Sequence, residues 1–331
     1  MSRRYAVISI GTNSTRVVLA DMVADTPQVD LARSIGTRVG EGLKERGSLG
    51  EEPMQRTLDA VASHLRAVRG HYLRLFAIAT SAVRRAENGD RFTARVEAML
   101  GVPVQILSGE EEAEASYRGA ITAFGPLHDE KLGVVDVGGG SSEYAVGDGP
   151  EPSRTISLEI GAVRLTETLP LLGGRDGVVD LDTIEAARTI ARDALAPLGD
   201  FPKVGHLALV GGSATTTASL IRGKKKTQFE SYELSRSDLQ RALVRLCGLP
   251  LDERKKLDGM KPQRADILPA GIVILETVLD LVGHDRATAT TADLLLGYLL
   301  QQVDRAGRSP SGPGLPGGWM TRKSSGTSRT S

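Results

Sequence analysis

Val134-Val135-Asp136-Val137-Gly138-Gly139-Gly140-Ser141-Ser142-Glu143 is the stretch that decides the fold of this chain. β-branched apolar residues run into an acid, three glycines, two hydroxyls and a second acid. Such a run reads as a buried strand that turns tightly at its carboxyl end. Glycine there lets backbone N–H groups approach a phosphate, because no Cβ stands in the way. Asp136 and Glu143 flank the turn and are hard oxygen ligands of the kind Mg²⁺ prefers. The stretch predicts a phosphate and metal cradle: Gly138, Gly139, Gly140, Ser141 and Ser142 for phosphate, Asp136 and Glu143 for metal.

The pattern recurs on both sides. Tyr5-Ala6-Val7-Ile8-Ser9-Ile10-Gly11-Thr12-Asn13-Ser14 is again an apolar run entering glycine and small polar residues. Leu207-Ala208-Leu209-Val210-Gly211-Gly212-Ser213 is a third. One glycine-rich turn is a weak signal, because most are only tight turns or close packing. Three of them predict two similar halves facing each other across a nucleotide- or phosphate-binding cleft. Gly11, Thr12, Asn13, Ser14, Gly211, Gly212 and Ser213 join the candidate phosphate ligands.

The 331 residues suffice for two domains with substantial cores. Lys plus Arg and Asp plus Glu each number 41, so charge gives no argument for a nucleic-acid or membrane partner. The single Cys247 excludes an intrachain disulfide and a cysteine zinc cluster, and its apolar setting reads as a helix core thiol. No apolar run approaches the ~18 residues of a membrane span, and Met1-Ser2-Arg3-Arg4 leads straight into a strand. A cytoplasmic protein is expected.

Strands alternate with helices, which argues for α/β layers. Met54, Leu58, Val61, Leu65 and Val68 form one face of a helix over 52–69. Ser108 reads as the cap of a helix with Glu110, Glu111 and Glu112 in its first turn, where acids complement the helix dipole. The expected domains are 1–117 and 118–306, with a crossing near Phe124-Gly125-Pro126-Leu127-His128-Asp129. From Gly307 the Gly, Ser, Pro, Thr and basic residues lack periodicity, so 307–331 reads as a disordered tail with Trp319 exposed. Lys224, Lys225 and Lys226 form a basic loop, read first as a solvated surface and second as a guide for a polyanion.

With these motifs in place, the chain resembles the exopolyphosphatase/guanosine pentaphosphate phosphohydrolase (Ppx/GppA) family over roughly residues 5 to 303. The carrying segments are Ile10 to Ser14, Arg38 to Leu43, Ala79 to Arg84, Leu107 to Ala113, Asp136 to Glu143, Gly161 to Glu167, Gly211 to Thr215 and Arg264 to Gly271. The resemblance implies two actin-like (ribonuclease H-like) domains of the actin–hexokinase–heat-shock-chaperone superfamily, in the family's short form. It implies an exopolyphosphatase that hydrolyses the terminal phosphoanhydride of inorganic polyphosphate and releases orthophosphate. It places the catalytic glutamate at Glu112 and sets Arg84 on substrate phosphate, with a structural ion pair as the competing account for Arg84. Mg²⁺ or Mn²⁺ is the implied cofactor, while a monovalent cation and a homodimer stay open. Guanosine pentaphosphate is the alternative substrate, and a weakly active polyphosphate or alarmone sensor is the alternative class. Two departures stand out. Ser9 occupies a position where the family usually carries Asp, and the family's Gly-Leu-Arg-Glu-Gly pattern reads here as Asp293-Leu294-Leu295-Leu296-Gly297.

Overall fold

The computed structural model describes residues 4–23, 26–124, 127, 130–223 and 231–308. The basic loop Lys224-Lys225-Lys226, most of the expected crossing and Trp319 lie outside the described residues.

Eleven strands among the described residues form two sheets. The first holds β1 (Arg4–Ile10), β2 (Ser14–Val23), β3 (Thr26–Gly36), β4 (Arg74–Ala79) and β5 (Val104–Ile106), in the order β3-β2-β1-β4-β5. The second holds β6 (Leu132–Val137), β7 (Ser142–Gly147), β8 (Arg154–Leu158), β9 (His206–Val210), β10 (Ser231–Ser235) and β11 (Arg286–Thr290). Its order is β10-β11-β9-β6-β7-β8. Read from β8, the second sheet repeats the first: an antiparallel meander of three strands, then two parallel neighbours, with β10 added at the edge. This is the duplicated α/β arrangement of the actin-like, ribonuclease H-like fold.

Side-chain alternation along each first strand decides what faces the space between the sheets. Ala6, Ile8 and Ile10 point into a core with Met54, Leu58 and Val61 of the helix Glu51–Val68. Tyr5 and Val7 point the other way, against Leu294, Leu295, Tyr298 and Leu299 of the last helix, Leu294–Arg308. Ser9 shares that second face by the same period. In the second sheet Val135 and Val137 enter the large core under the helix Leu268–Val282, whereas Leu132 and Val134 meet Ala113, Tyr117 and Ala120 of the helix Gly109–Ile121. Asp136 follows Val134. Two helices, Gly109–Ile121 and Leu294–Arg308, therefore lie against the inner faces of both sheets and against each other.

Close packing of those two helices requires glycine at Gly297, where a Cβ would strike the carbonyl oxygen of Ala115. Residue 117, where the first domain was expected to end, falls inside the helix Gly109–Ile121. The last helix continues to Arg308, one residue beyond Gly307, where the tail was expected to begin. Cys247 is buried, and burial pushes its thiol up to about 11, so it stays protonated and unreactive. Among the described residues no helix is long and apolar enough to cross a membrane.

Candidate active site

The hairpins that join β1 to β2 and β6 to β7 share one geometry. The N–H of Gly11 donates to the carbonyl of Ser14 at 3.0 Å, and the N–H of Gly138 donates to the carbonyl of Ser141 at 3.0 Å. Ser9 sits directly across from Arg16 in the first, and Asp136 directly across from Glu143 in the second. The two tips meet. A Cβ on Gly140 would stand 2.8 Å from Ser81 Oγ and 3.0 Å from Thr12 Oγ1, so glycine is what lets the tips approach. The carbonyls of Gly138 and Gly139 accept from the N–H groups of Ala162, Val163 and Arg164, and that of Thr12 accepts from Gly40. In a trans peptide the N–H points opposite to the C=O, so the N–H groups of Gly139, Gly140 and Asn13 point away from those donors.

The third turn closes the floor. Gly211 has φ +81, a left-handed conformation, and a Cβ there would strike Asp136 Oδ1. Gly212 lies as closely on the guanidinium of Arg264.

Glu112 reaches the same space because of how its helix starts. Ser108 Oγ accepts from the N–H of Glu111 at 3.1 Å, and Glu111 Oε2 accepts from the N–H of Ser108 at 2.8 Å. This capping box, worth about 1 kcal/mol, takes Glu111 for structure. Glu110 is exposed, whereas Glu112, the residue after the capping Glu111, turns inward and is 5 % exposed. Arg84 Nη1 donates to Glu112 Oε1 and also to the carbonyl of Leu107 at 2.5 Å. Arg84 thus holds the glutamate, which is the ion-pair arrangement named as its competing account.

Three acids converge here. Burial pushes Glu112 up to about 7, Arg84 pulls the other way, and the charges of Asp136 and Glu111 add to the rise. Burial and the charge of Asp293 push Asp136 up to about 6, against a hydrogen bond from Ser116, 2.8 Å to Oδ2, and the charges of Arg16 and Arg264. Glu143 is held well above the carboxylate range by burial and by the charges of Glu112 and Asp136, although Ser157 donates to its Oε1 at 2.8 Å. Like charges across a hairpin repel, and here they do so out of water.

The resulting cleft, ≈ 640 Å³, is lined by Gly11, Thr12, Asn13, Ser14, Glu112, Asp136, Gly138, Gly139, Gly140, Ser141, Glu143, Gly211 and Gly212. Three candidates do not line it. Arg84 stands behind Glu112, Ser142 Oγ donates to the carbonyl of Ile160 at 2.6 Å, and Ser213 Oγ donates to the carbonyl of Val137 at 3.3 Å. Reading the sequence missed Arg16, Thr80, Ser81 and Arg264, which do line it. Asn13 Oδ1 and Ser81 Oγ are buried there without a hydrogen-bond partner. Arg264 donates only a long contact, 3.4 Å, to Ser14 Oγ, and among the described residues no carboxylate pairs with it. Burial and the charge of Arg16 pull it down to about 10, so it remains a cation. Arg264 lies in one of the segments that carried the resemblance, but no local pattern aimed it at the cleft.

Among the described residues no group of three or more His, Cys, Asp or Glu side chains is set to hold a metal ion. Two hard carboxylates beside glycine turns still suit Mg²⁺, which usually keeps waters and takes one or two carboxylates plus phosphate oxygens. The buried, mutually repelling pair Asp136 and Glu143 fits that requirement.

The model of the Ppx/GppA phosphatase family matches residues 18–305. Exopolyphosphatase 2 of Mycobacterium tuberculosis is 31% identical over 317 residues, covering 90% of this chain and 98% of that protein. A bifunctional 3-dehydroquinate synthase/phosphatase of Fusobacterium nucleatum is 27% identical over 310 residues, covering 90% of this chain but only 46% of its own length. The crystal structure of an exopolyphosphatase from Cytophaga hutchinsonii superposes with a TM-score of 0.82 at 28% identity, over 92% of this chain and 98% of the other. A nucleoside triphosphate hydrolase structure from Neospora caninum, 11% identical with a TM-score of 0.56 over 92% of this chain and 93% of the other, shares the fold.

Proposed function

Because the chain belongs to the Ppx/GppA phosphatase family, we propose that it is an exopolyphosphatase, a hydrolase that removes the terminal phosphate of inorganic polyphosphate. One observation carries this reading. A buried glutamate, held by an arginine, faces two glycine turns and a pair of acids across a single cleft.

Phosphoryl transfer needs positioning, charge neutralisation and an oriented nucleophile. The N–H groups of Asn13, Gly139 and Gly140 and the guanidinium of Arg264 would hold the phosphate oxygens. Asp136 and Glu143 would hold Mg²⁺ or Mn²⁺, which supplies charge neutralisation at the bridging oxygens when bound. Glu112 orients a water toward the terminal phosphorus and takes its proton. The new P–O bond forms as the P–O bond to the chain breaks, and the shortened chain leaves as an anion. Arg84 keeps Oε1 occupied, so the carboxylate presents one lone oxygen to the water. With the glutamate raised to about 7, its basic form grows as pH rises through neutrality.

Orthophosphate release from long-chain polyphosphate, with and without Mg²⁺, tests the reading. Glu112→Gln should lower turnover by roughly 10²–10⁴-fold while retaining polyphosphate binding. Normal turnover by this variant would remove Glu112 from the mechanism. Release from guanosine pentaphosphate alone would assign the other substrate of the family's name, and binding without release would make the protein a sensor.

A further inference from the structure

The two hairpins align residue for residue: Ser9-Ile10-Gly11-Thr12-Asn13-Ser14-Thr15-Arg16 with Asp136-Val137-Gly138-Gly139-Gly140-Ser141-Ser142-Glu143. At the two paired positions that face the cleft, the second hairpin carries two acids. The first carries a hydroxyl and an arginine. Ser9, directly across from Arg16, offers it no charge. The counter-charge comes from the far end of the chain, where Asp293 Oδ2 accepts from Arg16 Nη2 at 2.5 Å. Asp293 is 4 % exposed and stands at the head of the last helix. Its Oδ1 accepts from the N–H of Leu295 at 3.2 Å, so it also caps that helix.

A cap alone does not need this charge, since Asn caps as well as Asp. Arg16 does need it. Arg16 and Asp136 line the same cleft and their charges interact, and removing one partner of a buried pair leaves the other charge uncompensated. We infer that Asp293 is a positioning residue for the cleft: it supplies the carboxylate that Ser9 does not, and by holding Arg16 it leaves Asp136 free for a divalent cation. The inference rests on the proposed metal role of Asp136. The last helix, by lying on the inner face of the first sheet, is what brings the missing acid to the hairpin.

The experiment compares four proteins: wild type, Asp293→Asn, Ser9→Asp/Asp293→Asn and Arg16→Gln/Asp293→Asn. Mn²⁺ binding by electron paramagnetic resonance and the thermal midpoint without metal are read on each. Asp293→Asn keeps the cap and should weaken Mn²⁺ binding about tenfold or more, with a lower thermal midpoint. Placing the acid on the first hairpin with Ser9→Asp should restore both. Removing the arginine as well should restore Mn²⁺ binding even if the Ser9→Asp protein fails to fold. Mn²⁺ affinity unchanged in Asp293→Asn would reduce the residue to a helix cap and overturn the inference. So would folded double variants that bind no better than Asp293→Asn. Failure of wild type itself to bind Mn²⁺ would sink the metal role and the inference with it, while leaving the glutamate-based hydrolysis to the phosphate-release assay.

Discussion

The hairpins at residues 9–16 and 136–143 have the same backbone and opposite chemistry. Each closes with a glycine N–H on a serine carbonyl three residues later, and each places two paired side chains in the cleft. The second puts Asp136 and Glu143 together, close to Glu112, and raises all three above the carboxylate range. The first puts Ser9 beside Arg16 and satisfies the arginine from a distant helix. Glycine and spacing build the turn, while two residues per hairpin decide whether it gathers two acids or carries an arginine paired from elsewhere. One half is electrostatically incomplete by itself, and the other is already paired.

The strongest way to break the contrast is to neutralise equivalent positions. Asp136→Asn should cost about 10³-fold or more in kcat, the several kcal/mol that metal-assisted charge stabilisation supplies. Ser9→Ala removes one hydroxyl at the matching place and should change kcat within about fivefold. Steady-state phosphate release on both variants checks this. Equal losses would mean that the hairpins do equal work.

Stability against pH sharpens the contrast next. The native protein holds protons on Glu112 up to about 7 and on Asp136 up to about 6, whereas unfolded carboxylates release theirs in their ordinary range. Between those limits the native state binds more protons, so its stability is full at the acid end and falls as pH rises to about 7. Thermal midpoints taken in chelator should therefore drop across that window, and Glu112→Gln should flatten the slope. A midpoint that climbs through the window would contradict the raised carboxylates.

The smallest effect concerns how the tips meet. Gly140→Ala sets a Cβ at 2.8 Å from Ser81 Oγ and 3.0 Å from Thr12 Oγ1. That overpacking should cost about 1–3 kcal/mol in chemical denaturation, together with activity. Ser81→Ala added to it should return part of the stability, because the buried Ser81 hydroxyl has no partner to lose.

Much of this was legible in residue order. Period-two alternation aims Asp136 and Ser9 at one side of their strands, and Ser108 announces a helix cap, whereas Glu112 stood out from its two neighbouring acids only through the family resemblance. The three glycine turns likewise follow from local chemistry, since only glycine tolerates φ +81 at residue 211 or a neighbouring backbone at van der Waals distance. The hydroxyls of Ser142 and Ser213 donate to backbone carbonyls, a detail hidden in the sequence because a serine beside a glycine turn reads alike whether its hydroxyl faces ligand or a carbonyl behind it.

The sequence by itself determined the α/β alternation, the hairpins and the acids of the second half, because these depend on contacts a few residues apart. Only the tertiary structure decided that Arg84 grips Glu112, that Arg264 enters the cleft, and that Asp293 answers Arg16. Those pairs span 28, 250 and 277 positions for Arg84 to Glu112, Arg264 to Ser14 and Arg16 to Asp293. Charge has no periodicity to advertise its partner over such separations. The packing of two helices between two sheets is what selects it.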